Sequence, residues 1–308
     1  MKRNSMWKEE DSVYLKKCYR TLHKIPEVGL YLPQTAAFVK QELQRMGLAP
    51  VSYKDHSSIS ADIVPAQKSM QKPPRMILLR ADMDGLALKE ETDLPYSSEN
   101  DKMHACGHDA HMAMLLAAAR VLCREKERLS GTVRILFQAG EEEPGGAGLA
   151  IRDGILNSKV EAVFGQHIGT LGGAPKGTIS IREGAMMAAK DSFRIQIQGK
   201  GCHGAMPEKG VDPVVIAAQI ILMLQTLISR ECGGASQAVL TIGSIQGGNT
   251  DNIIPEQVTL LGALRTTEES LRDYLEKRIC QVCSQTAEAM RGNSLVEYRR
   301  GYPVLYND

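Results

Sequence analysis

Apolar positions set out the elements of this chain before any single residue is considered. From Asp11 to about Met46 they fall at helical spacing, with Val13, Leu15 and Leu22 in one set and Ala36, Ala37, Val39 and Leu43 in another. The break between the sets, Ile25-Pro26-Glu27-Val28-Gly29, has turn chemistry, so two helices are predicted, the second closed by Gly47. A weak strand follows at Ile59–Val64, then a polar, proline-containing loop over 67–74. Three short apolar runs, Met76–Leu79, Gly131–Phe137 and Val160–Phe164, read as buried strands of a mostly parallel sheet. A helix after Met112 and a short helix from Ala147 to Ile155 separate them, so right-handed crossovers would point all three strand ends the same way.

After about residue 187 the period changes to two, with Ser192–Gln198 alternating between apolar and polar. Asp212-Pro213 opens a long helix to about Glu231, with Asp at the N-cap and Pro at the first helical position. Strands at Ala238–Ile245 and Gln257–Leu264, a helix from Glu268 to about Met290 and a strand at Ser294–Arg299 complete a β-α-β-β-α-β order. That order is the ferredoxin-like unit. The expected fold is therefore α/β, with a catalytic domain over 1–187, a ferredoxin-like domain over 188–300, and 301–308 leading back towards the first domain.

Composition narrows the class. At 308 residues, two domains are expected, and 43% hydrophobic with 24% charged residues is ordinary for a globular protein. A net charge of +1 recommends neither nucleic acid nor a membrane surface as partner. The first residues lack an apolar segment of signal-peptide type, and no run is expected to reach the roughly 18 apolar residues of a membrane helix. Seven scattered cysteines argue against a disulfide framework and fit a reducing cytoplasm. Cys280-Gln-Val-Cys283 lies in a helical pattern without a second pair, so a buried or incidental role is expected.

The densest chemistry lies at Met103–Met112, where ten residues hold three of the seven histidines with Cys106 and Asp109. These side chains suit borderline-soft divalent metals. The plainer alternative is a polar loop with Asp109 as a helix N-cap. The three strands end in Asp82/Asp84, Glu141/Glu142 and His167, at the edge where open α/β sheets place ligands. Cys106, His108, Glu142 and His167 are thus candidates to hold a pair of divalent ions that would share a water and lower its pKa. Glu141, next to a ligand, suits the base that takes the proton. This points to metal-assisted hydrolysis of an amide or similar bond. In the second domain, His203 in a glycine-rich loop is placed to donate to an oxyanion, or is a plain surface histidine. Arg265, at a strand end, suits a carboxylate clamp.

With those residues in place, the chain resembles the aminoacylase/carboxypeptidase-type metallopeptidases, in the amidohydrolase branch that includes hippurate hydrolases, N-acetyldiaminopimelate deacetylases and auxin-conjugate hydrolases. The resemblance runs from Leu22-His23-Lys-Ile-Pro-Glu27 through Arg80-Ala-Asp-Met-Asp84, His104-Ala-Cys-Gly-His-Asp-Ala-His111, Glu141-Glu142 and Gln166-His167. It continues in Gly201-Cys-His-Gly-Ala-Met-Pro207, Gly247-Gly-Asn249, Asn252-Ile-Ile-Pro255 and Gly262-Ala-Leu-Arg265. It implies two divalent ions, zinc or manganese first and nickel or cobalt next, with Cys106 bridging and His108, Glu142 and His167 as further ligands. Glu141 would be the general base, with Asp84 behind the ligands. His203 would stabilise the tetrahedral intermediate from a lid, in some relatives across a dimer interface, with Asn252 and Arg265 on the substrate side. The implied activity is removal of an acyl group from an N-acyl amino acid, by a cytoplasmic homodimer joined through the lid. A dipeptidase or aminopeptidase is the alternative within enzymes.

Small departures are Ala139-Gly140 where Pro-Ala is common and Gly85-Leu-Ala-Leu where Ala-Leu-Pro is common. A larger one is that relatives return to the catalytic domain after the lid, bringing another metal-binding histidine, whereas no histidine follows His203 here. The C-terminal part of the catalytic domain is therefore expected to be missing. On that expectation the 308-residue form has exposed apolar surface and weak activity, or is a binding and dimerisation protein.

Overall fold

The first helix, α1 (Glu9–His23), starts with Glu9, Glu10 and Asp11, whose charges suit the positive end of the helix dipole. In the computed structural model, which describes residues 6–66, 75–157, 160–169, 175–234 and 237–308, α2 (Pro33–Arg45) follows after the predicted break. Its N-cap, Leu32, has no side chain to offer, and the Glu27 carboxylate accepts the Thr35 N–H instead, at 2.9 Å. Gly47, at φ 76°, closes α2, with the Leu48 N–H reaching the Leu43 carbonyl at 3.1 Å. The loop expected at 67–74 lies outside the described residues.

The chain divides into two units, Met1–Lys176 and Gly177–Asp308. The first is built on β1 (Val51–Ser52), β2 (Ile59–Ile63), β3 (Met76–Asp82), β4 (Thr132–Gln138) and β5 (Val160–Gly165), in the order β1-β2-β4-β3-β5. The three predicted runs, β3, β4 and β5, are parallel to one another. Because β1 pairs β2 and β2 pairs β4 antiparallel, the sheet is mixed rather than mostly parallel. The reason is local: Ile59, Ala61 and Ile63 in the five-residue β2 mark a buried strand but carry no signal for its direction. The helix α3 (His108–Arg124) packs against α1 and β3, and α4 (Ala147–Arg152) precedes β5. Phe137, Ile135, Ile63, Met112 and Leu116, with Leu22 and Leu43 from the first helices, form the core. β5 is an edge strand on which Val163 and Phe164 are exposed.

The second unit contains β6 (Gly184–Met187), β7 (Ala189–Gln198), β8 (Cys202–His203), α5 (Pro213–Thr226), β9 (Ala238–Gly247), β10 (Ile253–Ile254), β11 (Gln257–Thr266), α6 (Glu269–Ala289), β12 (Asn293–Arg299) and β13 (Leu305–Asn307). Its main sheet is antiparallel in the order β12-β7-β11-β9, with α5 and α6 as the two connections of the predicted β-α-β-β-α-β path. Asp212 caps α5 as expected, its carboxylate accepting the Val214 N–H at 2.8 Å. β6 pairs β13, so residues 305–307 join this unit's own ladder. The two- to four-residue ladders lie below what periodicity can detect, so the pattern missed them.

One expectation needs correction. Pro213–Glu231 is 19 residues long and apolar enough, by length and composition, to cross a membrane. Gln219 and Gln225 interrupt its apolar positions, so the segment is not an unbroken apolar run. Ile216, Ala217, Ile220, Leu224 and Leu227 are buried in the core of the second unit, as in the central helix of a packed domain. Val214, Val215, Leu222 and Met223 are exposed.

Candidate metal centre

The parallel strands deliver their ends as anticipated. β3 supplies Asp82 and then Asp84, β4 leads through Gln138 to Glu141 and Glu142, and β5 leads to His167. The remaining donors come from the start of α3. Its N-cap is Gly107, at φ 87°, a conformation glycine adopts without strain. Asp109 therefore does not cap the helix. It lies in the first turn and faces His23, with Oδ2 2.6 Å from His23 Nδ1. Glu90 meets the other nitrogen of His23 at 3.0 Å, so this buried trio joins α1 to the base of the cluster. The close Asp109 contact, reinforced by Glu90 and opposed by burial, raises the pKa of His23.

His108 is the hub. Its side chain is fully buried, and neither ring nitrogen has a hydrogen-bond partner among the described residues. Carboxylate oxygens surround it just beyond hydrogen-bonding range: Asp84 at 3.5 Å from Nδ1, and Asp82, Glu141 and Glu142 at 3.6, 3.9 and 4.0 Å from Nε2. Three donor groups, each with its atoms within 4.8 Å of one another, share this imidazole: Cys106/His108/His167, Asp82/His108/His111 and His108/Glu141/Glu142. The Cys106 Sγ lies 3.4 Å from His167 Nε2.

The electrostatics fit a cation. Burial pushes the Cys106 thiol up to about 12, helped by the Glu142 and Glu141 carboxylates. Burial also raises Glu141, with the charges of Asp82 and Glu142 adding to it, against the pull of His108. Burial alone would lower His108, but Asp84 and the other carboxylates draw it upward. A buried imidazole with two unpartnered nitrogens, inside a ring of carboxylates and a thiol, is costly as it stands and matches the donor set of a divalent-ion site.

Other residues hold these donors in place. Asp84 accepts the backbone N–H groups of Glu141 and Glu142. Gly146 allows the turn after them to close, since a Cβ there would lie 1.9 Å from the Ala139 carbonyl oxygen. Asp82 is tied to His111 at 2.6 Å and to Arg80 at 2.8 Å. Burial would raise the Asp82 carboxyl, but the His111 hydrogen bond and the Arg80 charge hold it well below the usual carboxylate range. The structure thus brings together Cys106, His108, Glu141, Glu142, His167 and Asp84. His111 joins them beside Asp82, and the signal for it in the sequence is its i, i+3 spacing from His108 on one helix.

In the second unit, β8 pairs β10, setting His203 opposite Ile253, and the Gly204 N–H meets the Asn252 carbonyl at 2.8 Å. His203 is exposed, with Nδ1 accepting the Ala205 N–H at 3.1 Å. Arg265 is exposed near the end of β11, between Lys190 and Val239 on the neighbouring strands.

A mixed α/β sheet with cysteine, histidine and paired glutamates gathered at its parallel strand ends is the construction of a metal-dependent hydrolase. The chain belongs to peptidase family M20/M25/M40, whose profile matches residues 78–308. It is 39% identical over 292 residues to an N-acetyl-L-cysteine deacetylase of Bacillus subtilis (strain 168), covering 94% of this chain and 68% of that one. It is 38% identical over 294 residues to an IAA-amino acid hydrolase of Arabidopsis thaliana, covering 94% of this chain and 65% of that one. The chain therefore spans about two thirds of the length of these relatives. A solved Bacillus subtilis dinuclear metal-binding peptidase of the M20 family superposes with a TM-score of 0.82 at 30% identity, over 98% of this chain and 77% of that one.

Proposed function

We propose that this chain hydrolyses the amide bond of N-acyl amino acids, using two divalent ions held by Cys106, His108, Glu142 and His167. The observation that carries this reading is the fully buried His108, with both nitrogens unpartnered and four carboxylates within 4.0 Å. The names of the relatives agree, since they include a deacetylase and an amino acid conjugate hydrolase. Zinc or manganese suits the mixture of thiolate, imidazole and carboxylate. When bound, the ions supply Lewis acidity to the amide carbonyl and make water a better nucleophile.

The side chains divide the remaining work. Glu141, half-exposed and beside Glu142, takes the proton of the attacking water and returns it to the leaving amine, so the products are a carboxylic acid and a free amino acid. Asp84 fixes the Glu141–Glu142 backbone and so separates the base from its ligand neighbour. His203 donates to the oxyanion of the tetrahedral adduct, and Arg265 and Asn252 bind the substrate carboxylate and its surroundings. In this reading 1–187 is the catalytic domain and 188–300 a lid that also forms a homodimer. The exposed apolar side chains Val214, Val215, Leu222 and Met223 on α5 support a second copy as partner. A cytoplasmic location is part of the proposal, supported by seven free cysteines.

The test is substrate choice. N-acetyl and N-benzoyl amino acids are compared with dipeptides after metal loading, by release of the free amino group. Faster turnover of the N-acyl compounds is expected; faster turnover of dipeptides would instead make the chain a dipeptidase.

A further inference from the structure

His111 is none of the ligands named above, yet both of its ring nitrogens are committed. Nε2 lies 2.8 Å from the Ile168 backbone nitrogen, and Nδ1 lies 2.6 Å from Asp82 Oδ1. The backbone N–H can only donate, so Nε2 accepts and Nδ1 carries the proton given to Asp82. His111 is within reach of the other donors, but it has no lone pair left for an ion. The carbonyl oxygen of Ile168 lies 2.5 Å from His167 Nδ1, leaving His167 Nε2 towards Cys106 Sγ. The Ile168 side chain rests on Gly107, where a Cβ would come within 2.7 Å of it, and Gly107 separates Cys106 from His108.

We propose that His111 is a positioning residue: fixed by Asp82 as the Nδ1–H tautomer, it anchors the Ile168 backbone, whose carbonyl fixes His167 as the Nδ1–H tautomer with Nε2 presented beside Cys106. The inference rests on the metal-centre reading. A ligating histidine needs an acceptor for its second N–H, and the identity and rigidity of that acceptor tune metal affinity. For His167 the acceptor is a loop carbonyl on its own neighbour, which cannot orient the ring unless it is held. His111 provides that hold from the rigid first turn of α3, and Asp82 provides it from the end of β3.

Two substitutions separate the halves of the device. In His111→Gln the amide oxygen reaches the position of Nε2 and still accepts the Ile168 N–H. In His111→Asn the amide sits near Nδ1, still serves Asp82 and leaves Ile168 unheld. Cobalt(II) is titrated into the metal-free chain and followed by its visible ligand-field and thiolate bands. His111→Gln is expected to bind within about threefold of the wild type, and His111→Asn about tenfold or more weakly, with altered ligand-field bands. Wild-type affinity and spectrum in His111→Asn would overturn the proposal. Equal loss in both variants would also overturn it, because His111 would then act as a ligand or as general support. Nitrogen-15 histidine spectra of the metal-free wild type give a reading independent of the variants and of cobalt. Both His111 and His167 should be Nδ1–H tautomers, and an Nε2–H form of either contradicts the proposal. If the wild type binds no cobalt while both tautomers are as stated, the metal-centre reading fails and the positioning device stands.

Discussion

Asp84 grips Glu141 and Glu142 by their backbones, with Oδ1 accepting one N–H at 2.9 Å and Oδ2 the other at 3.0 Å. One buried carboxylate thereby sets the directions of two neighbouring glutamates. Asp84→Ala leaves both amides without their acceptor, at about 1–3 kcal/mol for each. The expected outcome is a lower denaturant midpoint together with metal affinity reduced by about tenfold or more. Equilibrium unfolding and metal titration check the two parts separately.

Metal uptake should depend on pH through Cys106. Its thiol is pushed up to about 12, first by burial and then by the Glu142 and Glu141 charges, so it is protonated at neutral pH. An ion that binds sulfur as thiolate must displace that proton. Apparent affinity should therefore rise about tenfold per pH unit near neutrality, with about one proton released from this group. Calorimetry in buffers of different ionisation enthalpy counts the protons. In Cys106→Ala the dependence should flatten.

The second unit has its own buried ion pair. Asp191 accepts from Arg272 at 2.6 and 2.9 Å, from Tyr298 at 2.7 Å and from the Gly301 N–H at 2.9 Å, and so ties β7, α6 and the end of β12 together. Arg272→Met leaves the carboxylate buried without its partner and should cost about 3–5 kcal/mol. The double variant Asp191→Leu, Arg272→Met should recover part of that loss. Thermal unfolding of the three variants measures the coupling.

Acid sensitivity should show at Asp11. Hydrogen bonds from Arg124, with the Lys8 N–H and the Arg120 charge, hold its carboxyl at about 2 against the upward push of burial. An unfolded aspartate titrates near about 4, so the folded state favours the charged form. The stabilisation is complete above that value and is lost as pH falls towards about 2. Asp11→Asn should flatten the stability curve between roughly pH 4 and pH 2 and leave it parallel to the wild type above that window.

The course of the chain to its metal centre was legible because apolar runs and crossovers constrain strand direction. Three such runs ending in Asp82/Asp84, Glu141/Glu142 and His167 left one arrangement, and β3, β4 and β5 are parallel as read. The direction of β2 was not legible, since it depends on pairing with β4, 70 to 78 positions away. Asp82 and Asp84 look alike in sequence, two apart on one strand end. Asp82 is bound by Arg80 from its own strand, but the partners that set the two apart, His111 for Asp82 and the Glu141 and Glu142 amides for Asp84, lie 29 to 58 positions along the chain. The same holds for His111, whose contact with Ile168 spans 57 positions.

We propose that the cluster around His108 holds catalytic metal, with Glu141 as the base. The direct measurement is metal content and N-acyl amino acid hydrolysis on the same samples of wild type and Glu141→Gln, before and after chelation and reloading. About two ions per chain are expected in both proteins, with turnover that chelation removes and reloading restores in the wild type, and kcat about 10²–10⁴-fold lower in Glu141→Gln. Turnover undiminished by complete metal removal, or full activity in metal-loaded Glu141→Gln, would contradict the proposal.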